Sequence, residues 1–219
     1  MKKKNRGLFW LGVCFLAAFV LWTVLVCFID VRAIGPRGSS VGFATLNGYV
    51  HNLTGVNMSL YVVTDWLGIV PIGVVFAFAV LGLVQWIKRK SLLKVDRSIL
   101  TLGVFYTVVM AVYILFEIVV INYRPTLIGG YLEASYPSST TMLVMCVMPT
   151  AMMQFGPRIK NDLFRKCVTF TIAVFIAFMV IGRLVSGVHW ITDIIGGALL
   201  STAIVLTYYS IGNVVTKNC

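Results

Sequence analysis

The sequence predicts an all-α protein: a six-helix transmembrane bundle with interfacial helices between the first two spans. Hydrophobic residues make up 59% of the chain and charged residues only 11%, whereas soluble domains carry about 25% charged residues. Residues 8–29 and 66–87 contain no charge, and about 20 apolar residues are enough to cross a bilayer as a helix. We therefore expect residues 1–219 to form a single integral membrane domain.

Four further apolar runs complete the set of six spans. They lie at 98–121, 138–155, 167–181 and 194–211. The first span follows a basic segment, as a secretory signal does, but its apolar run is longer than a signal core. We therefore expect this span to be retained. The fifth run is short and has to extend into its flanks to cross the membrane.

The placement of basic residues predicts the orientation. Fourteen of the 18 Lys and Arg residues fall on the side of the two termini, at 1–7, 88–97, 158–166 and Lys217. Cytoplasmic loops collect positive charge, so both termini are expected to be cytoplasmic. Residues 1–7 would then be a cytoplasmic tail and 30–65 an extracytoplasmic segment of a multi-pass plasma membrane protein. Topology thus accounts for the net charge of +11 without a nucleic acid partner.

The outer segment has a helical apolar pattern of its own. Between positions 43 and 63, apolar residues recur at steps of three and four, which predicts one or two amphipathic helices in the outer interface. Two roles stay open for them, a lateral gate for a lipid or a simple cover.

Three ionisable residues, which are energetically costly near a membrane, lie together at the edge of the last two apolar runs. His189 and Asp193 are four positions apart, so on a helix they would share a face. The carboxylate could accept the imidazole Nδ1–H and leave Nε2 free to attack. Arg183 could bind an anion through its planar fork of donors. The pattern indicates a nucleophile, its orienting partner and an anion clamp.

Two more segments are expected at the same outer face. Arg124-Pro125 ends the third span, and "YPSSTT", residues 136–141, opens the fourth. Proline followed by three hydroxyl residues predicts a helix start, where free backbone N–H groups and the helix dipole favour a phosphate. Ser138, Ser139 and Thr140 could add hydrogen bonds to the same group.

These residues resemble the motifs of the type 2 phosphatidic acid phosphatase family, which is related to vanadium haloperoxidases. The third family motif is Ser-Arg, five residues, His, three residues and Asp. The chain has Gly182-Arg183, five residues, His189, three residues and Asp193. The second motif matches at Pro137-Ser138 and the first at Arg124-Pro125. This resemblance extends over most of the chain after about residue 60, with a catalytic-motif core at 98–215.

The resemblance implies hydrolysis of a lipid phosphate or pyrophosphate on the extracytoplasmic face. His189 would attack phosphorus and form a phosphohistidine, with Asp193 as its orienting residue. Arg124, Arg183 and the helix start at Ser138 would hold the phosphoryl oxygens. The mechanism implied uses no metal and no cofactor.

Two positions depart from the family pattern. Glu117 stands where the family has lysine, and Thr140 stands where it has the histidine that protonates the leaving group. A pyrophosphate substrate of the polyprenyl type would tolerate Thr140 better, because its leaving group is a weaker base. His51, the other histidine, is an alternative proton donor. Glu117 is expected to pair with Arg124 or Arg183, as intramembrane charges usually do.

Two functional classes therefore remain open on the sequence. One is a membrane lipid phosphatase, or a phosphotransferase that uses the same phosphohistidine. The other is a non-catalytic protein of the same family that binds or transports a lipid phosphate. The sequence leaves the lipid and the oligomeric state undetermined.

Overall fold

The computed structural model describes residues 3–156 and 158–215, and within these ranges the chain forms eight α-helices. They are α1 (Lys3–Phe28), α2 (Ala44–Thr54), α3 (Met58–Leu67), α4 (Ile69–Arg89), α5 (Arg97–Ile118), α6 (Ser139–Phe155), α7 (Asp162–Val185) and α8 (Ile191–Val215). Two single 3₁₀ turns, Pro36–Gly38 and Leu92–Lys94, lie in the connections.

Six of these helical stretches account for the predicted spans. Five are long and apolar enough to cross a membrane, and they are Asn5–Phe28, Met58–Arg89, Arg97–Ile118, Asp162–Val185 and Ile191–Gly212. The sixth is α6, with 17 residues, which at about 1.5 Å per residue extends roughly 25 Å. The prediction of an all-α bundle of apolar helices in a multi-pass membrane protein is confirmed.

The helix boundaries differ from the predicted spans in two places that affect the site. α5 ends at Ile118, so Arg124 lies beyond the helix rather than at its end. α7 begins at Asp162, well before the predicted start at 167, because the Asn161 side chain caps it and accepts a hydrogen bond from Phe164 N at 3.0 Å. The fifth span therefore gains its missing length from its flanks.

Helices α2 and α3 occupy the predicted outer segment. Only Gly68 separates α3 from α4, so the second apolar stretch runs without a break in hydropathy from Met58 to Arg89. α3 packs on α7 and α2 packs on α8. This segment therefore covers the end of the bundle at which α7 ends and α8 begins.

α6 forms the centre of the bundle. It contacts α4, α5, α7 and α8, while α1 lies along α8. Ser138 caps α6, and the backbone N–H of Ser138 donates to the carbonyl of Asp193 in α8 at 3.0 Å. The start of α6 is therefore held directly against the start of α8, and this junction positions the candidate site.

Candidate active site

A short irregular segment between α5 and α6 positions two of the site residues. The backbone N–H of Arg124 donates to the Glu133 carbonyl at 3.1 Å, and that of Ser135 donates to the Asn122 carbonyl at 2.9 Å. These bonds fold the segment back on itself like a small hairpin. Its first arm is attached to the neighbouring loop because the Trp190 indole donates to the Tyr123 carbonyl at 2.7 Å.

His189 lies in the turn between α7 and α8, not on a helix. The turn needs Gly187, whose φ is +67°, and a Cβ at this position would lie 1.8 Å from the carbonyl oxygen of Gly55. A side chain is therefore excluded by backbone conformation and by space alike. The prediction that His189 and Asp193 share a helical face was wrong, because α8 begins only at Ile191. The turn nevertheless brings the two residues together.

Ser135 lies between His189 and Asp193. His189 Nδ1 is 3.8 Å from Asp193 Oδ2, which is too long for a direct hydrogen bond. The Ser135 hydroxyl is 3.1 Å from Nδ1, and it donates to Asp193 Oδ2. The expected direct contact between imidazole and carboxylate is therefore replaced by a relay of three side chains.

The relay determines which ring nitrogen carries the proton. A hydroxyl has one proton, and that of Ser135 goes to the carboxylate. The contact between Ser135 and the ring is then a hydrogen bond only if Nδ1 carries the hydrogen and donates it. This leaves the lone pair of His189 on Nε2, which is the tautomer that a nucleophile requires.

Asp193 has two further donors. The backbone N–H of Trp190 lies 2.9 Å from Oδ2, and the Asn122 amide lies 3.5 Å from Oδ1. Asp193 is fully buried, and a buried carboxylate needs such donors. They fix the carboxylate in place, so that the Ser135 hydroxyl has one preferred direction.

His189 Nε2 is buried and has no hydrogen-bond partner among the described residues. The residue is only 3% exposed. Burial, together with the positive charges of Arg124 and Arg183, holds the pKa of His189 well below its usual value. The imidazole is therefore neutral at physiological pH, and Nε2 keeps an unprotonated lone pair.

Arg183 is almost fully buried, with an exposure of 1%. Its Nη2 donates to the Thr140 hydroxyl at 2.7 Å and lies 3.3 Å from the Asp65 carboxylate. Its Nε and Nη1 have no hydrogen-bond partner among the described residues. A buried guanidinium with two free donors is costly unless an anion binds to it.

Arg124 lies near Arg183. The guanidinium carbons of Arg124 and Arg183 are 5.9 Å and 5.0 Å from the ring centre of Tyr61. Arg124 Nε lies 3.1 Å from the Glu133 carboxylate, but without the direction of a hydrogen bond, and Nη1 also has no partner among the described residues. Two guanidiniums with free donors therefore lie against one aromatic ring.

A cavity of about 730 Å³ opens beside these arginines. Both arginines line it, together with Tyr61 and the predicted residues Glu117, Ser139 and Thr140. His189 is not among the lining residues, although the guanidinium charges act on its ring. The cavity therefore ends at the arginines, next to the buried relay.

Ser138 and Glu117 are also placed differently from expectation. Ser138 is fully buried and does not line the cavity, because its hydroxyl caps α6 and accepts from Thr141 N at 3.5 Å. Glu117 forms no ion pair within the described residues; Glu133 and Asp65 pair with the two arginines instead. Since α5 ends before Arg124, Glu117 and Arg124 are not on one helix.

His51 lies next to the loop of His189. Its ring packs against Trp190 with centroids 5.4 Å apart, and burial lowers the pKa of His51. It does not line the cavity of the two arginines. A role for His51 as proton donor stays a prediction.

Sequence reasoning missed five residues of this site. Ser135 and Asn122 donate to Asp193, Asp65 and Glu133 pair with the two arginines, and Tyr61 lies against both guanidiniums. Ser135 stands two residues before Pro137 and so within reach of the motif already recognised. No periodicity connects Asp65 with Arg183, which are 118 positions apart.

The fold is that of a multi-pass integral membrane protein, and a comparison with known families matches the segment that carries the site. Residues 120–217 match the model of the PAP2 superfamily, and the resemblance to the type 2 phosphatidic acid phosphatases is confirmed. The matched segment contains both arginines and the whole relay, and it begins after Glu117.

A solved structure supports the fold over nearly the whole chain. It is described as the crystal structure of the first transmembrane PAP2 type phosphatidylglycerolphosphate phosphatase from Bacillus subtilis. The similarity has a TM-score of 0.56 at 19% sequence identity and covers 94% of this chain and 96% of that chain. No curated protein matches the sequence. The structural similarity concerns the fold, and the family match supports a phosphatase-type function.

Proposed function

We propose that this protein is a membrane lipid phosphatase that hydrolyses a lipid phosphate or pyrophosphate through a phosphohistidine at His189. One observation carries the proposal. The buried Nε2 of His189 has no partner among the described residues, while Ser135 holds the other ring nitrogen and two arginines with free donors lie close by. A structural histidine would not need this combination.

The first chemical step would be attack of the Nε2 lone pair on phosphorus. An N–P bond forms, the P–O bond to the lipid breaks, and the leaving oxygen takes the bonding electrons and a proton from water. Water then attacks the phosphohistidine, the N–P bond breaks, and inorganic phosphate leaves. The relay would stabilise the positive charge that develops on the ring in the first step, because Nδ1–H is hydrogen-bonded toward the Asp193 carboxylate.

The arginines would supply most of the rate enhancement. Phosphoryl transfer depends mainly on positioning and on stabilisation of charge on the phosphoryl oxygens. The free donors are Nε and Nη1 of Arg183 and Nη1 of Arg124, and they can bind those oxygens as charge-assisted hydrogen bonds. A phosphoryl group held there would lie between the cavity and the imidazole ring.

The orientation of the bundle supports a site on the extracytoplasmic face. The site lies near the start of α6 and the turn after α7, whereas the basic connection 158–166 joins the opposite ends of these two helices. The basic connection 88–97 precedes α5, whose other end leads into the segment that carries Arg124. The positive-inside rule assigns those connections and both termini to the cytoplasm. We infer location in the plasma membrane with the site facing outward.

Thr140 favours a pyrophosphate over a simple phosphate ester. Its hydroxyl accepts from Arg183, so the residue holds an arginine and supplies no acid. Loss of a positioned general acid typically costs 10²–10⁴-fold, and this loss matters less when the leaving group is itself a phosphate.

A non-catalytic protein that binds or transports a lipid phosphate is the second candidate. The observation in its favour is that His189 does not line the cavity, whereas both arginines do. Such a protein would hold the phosphate on Arg124 and Arg183 without transfer to the ring.

Phosphate release distinguishes the two functions. Detergent-solubilised protein is incubated with lipid phosphates and lipid pyrophosphates, beside a His189→Ala variant. Release that disappears in the variant supports the enzyme. Tight binding of the lipid by both proteins, with no release, identifies a binding protein.

A further inference from the structure

A long apolar groove runs along α4 and α5 and is not part of the site described above. It has a volume of about 890 Å³, and the residues used below are Val75, Gly82, Trp86, Gly103, Tyr106 and Met110. We call it the α4–α5 groove. Its lining is almost entirely apolar, with the hydroxyls of Tyr106 and Thr107 as exceptions.

The groove is continuous with the cavity beside the arginines. Val75, Tyr106 and Met110 line both spaces. One molecule could therefore place an anionic group at Arg124 and Arg183 and an apolar part between α4 and α5. This is the arrangement that a lipid phosphate requires.

The groove is longer than one leaflet of a bilayer. On α5, Ile99 and Ile114 both line the groove. These positions are 15 residues apart, so they are separated by about 22 Å along the helix. One leaflet contributes roughly 15 Å of hydrocarbon, so the groove continues past the midplane.

The groove is also narrow. α4 and α5 approach each other at Gly82, where a Cβ would lie 3.1 Å from the Ile99 side chain. Two helices in contact leave a furrow along their seam, which suits one extended chain rather than a pair of chains from one headgroup.

We propose that the α4–α5 groove binds the single long hydrocarbon chain of a polyprenyl phosphate or pyrophosphate and so selects the substrate by chain length. This proposal rests on the proposed function only in that the phosphate group of the lipid is taken to bind at Arg124 and Arg183. A diacyl lipid has two chains that end near the midplane, and it would leave the far half of the groove to other molecules.

Two glycines make a matched test of the groove. Gly103 lines it, and a Cβ there would meet nothing within 4 Å, so Gly103→Phe adds a ring without a clash at the first atom. Gly103 is 14 positions from the cavity residue Glu117, about 21 Å along α5. Gly73 in α4 is equally open and lines neither the groove nor the cavity, so Gly73→Phe is the control.

The assay compares two lipids with the same headgroup. Farnesyl pyrophosphate has a chain too short to reach Gly103, and undecaprenyl pyrophosphate has a chain that passes it. We expect Gly103→Phe to lower kcat/KM for undecaprenyl pyrophosphate about tenfold or more, since the burial of several CH₂ groups is lost. Turnover of farnesyl pyrophosphate should stay as in the wild type, and Gly73→Phe should affect neither lipid.

Each other outcome overturns the proposal. Equal losses for both lipids, or no loss for either, would mean that bulk lipid or another copy of the chain fills the groove. The same would follow if the wild type showed no preference for undecaprenyl pyrophosphate.

A binding experiment tests the groove proposal independently of the proposed phosphatase activity. In the His189→Ala background, the affinities for farnesyl and undecaprenyl monophosphate are measured with and without Gly103→Phe. If no protein releases phosphate, the proposed activity fails. A selective loss of undecaprenyl monophosphate binding would still support the groove, and an unselective result would exclude it.

Discussion

The Ser135 hydroxyl lies 3.1 Å from Nδ1 of His189, and it inserts between this ring and the Asp193 carboxylate. The imidazole is thus positioned by a side chain from another part of the chain, 54 positions earlier. Orientation of the proposed nucleophile depends on the fold of the α5–α6 segment as well as on the turn before α8.

Replacement of Ser135 by alanine tests this relay. We expect Ser135→Ala to lower kcat by about 10-fold to 100-fold, the usual loss when an outer partner of a functional histidine is removed, with a smaller effect on KM. Ser210→Ala is the matched control, since Ser210 is also buried in α8, but among the described residues its hydroxyl bonds only to the Thr207 carbonyl. Unchanged kcat in Ser135→Ala would show that the ring is held without the hydroxyl.

The pH dependence of kcat/KM tests the environment of His189. Because burial and two guanidiniums lower the pKa of His189, the neutral, reactive form should persist below pH 6.5, the usual pKa. The acid limb of kcat/KM for the free enzyme should therefore lie below this value and move upward in Arg124→Gln, where one positive charge is removed. An acid limb at or above the usual value in the wild type would contradict this environment.

Substitution of the arginines by lysine tests their role as planar double donors. Arg183→Lys keeps the charge but loses the fork that binds two oxygens. Loss of a preorganised donor costs about 10²–10³-fold in rate, and we expect a loss of this order for Arg183→Lys and Arg124→Lys. Arg158→Lys, at the other end of α6, should retain wild-type activity. Full activity in Arg183→Lys would mean that charge alone suffices.

Thr140 can be changed to the histidine of the family motif. If Thr140 limits protonation of the leaving group, Thr140→His should raise the hydrolysis of lipid monophosphates at least about tenfold and affect pyrophosphates less. Thr140→Ser, which keeps the hydroxyl that accepts from Arg183, should resemble the wild type. A gain of equal size for both lipids would disprove the argument from the leaving group.

Gly187 should be required for the turn that carries His189. Gly187→Ala places a side chain at φ +67° and against the Gly55 carbonyl, whereas Gly38→Ala meets the same kind of backbone, φ +75°, in open space. The backbone conformation alone costs about 1–2 kcal/mol, so Gly187→Ala should lower the free energy of unfolding by clearly more than Gly38→Ala. Thermal unfolding in detergent measures both, and equal losses would mean that the contact with Gly55 is unimportant.

The sequence predicts the parts of this protein that depend on short-range pattern. Apolar runs located six helices, and fixed spacing identified Arg183, His189 and Asp193 as one group. The start of α6 at Ser139 was predicted within one residue, because Ser138 caps the helix through a contact only three positions away.

Short-range sequence patterns do not predict contacts between segments that are distant in the chain. Asp65 pairs with Arg183 only because α3 packs on α7, and Glu133 meets Arg124 because the segment 119–138 turns back on itself. The expected pairing of Glu117 assumed that the third span continued to Arg124, and the earlier end of α5 removes that assumption.

The central claim is that His189 Nε2 becomes phosphorylated during turnover, and trapping the intermediate tests it most directly. The protein is mixed with a lipid pyrophosphate, denatured in alkali, in which phosphohistidine is stable, and digested for mass spectrometry. We predict one added phosphoryl group on the peptide that contains His189, and none in the His189→Ala variant. Release of phosphate without this modification, or at an equal rate in the variant, would contradict the account.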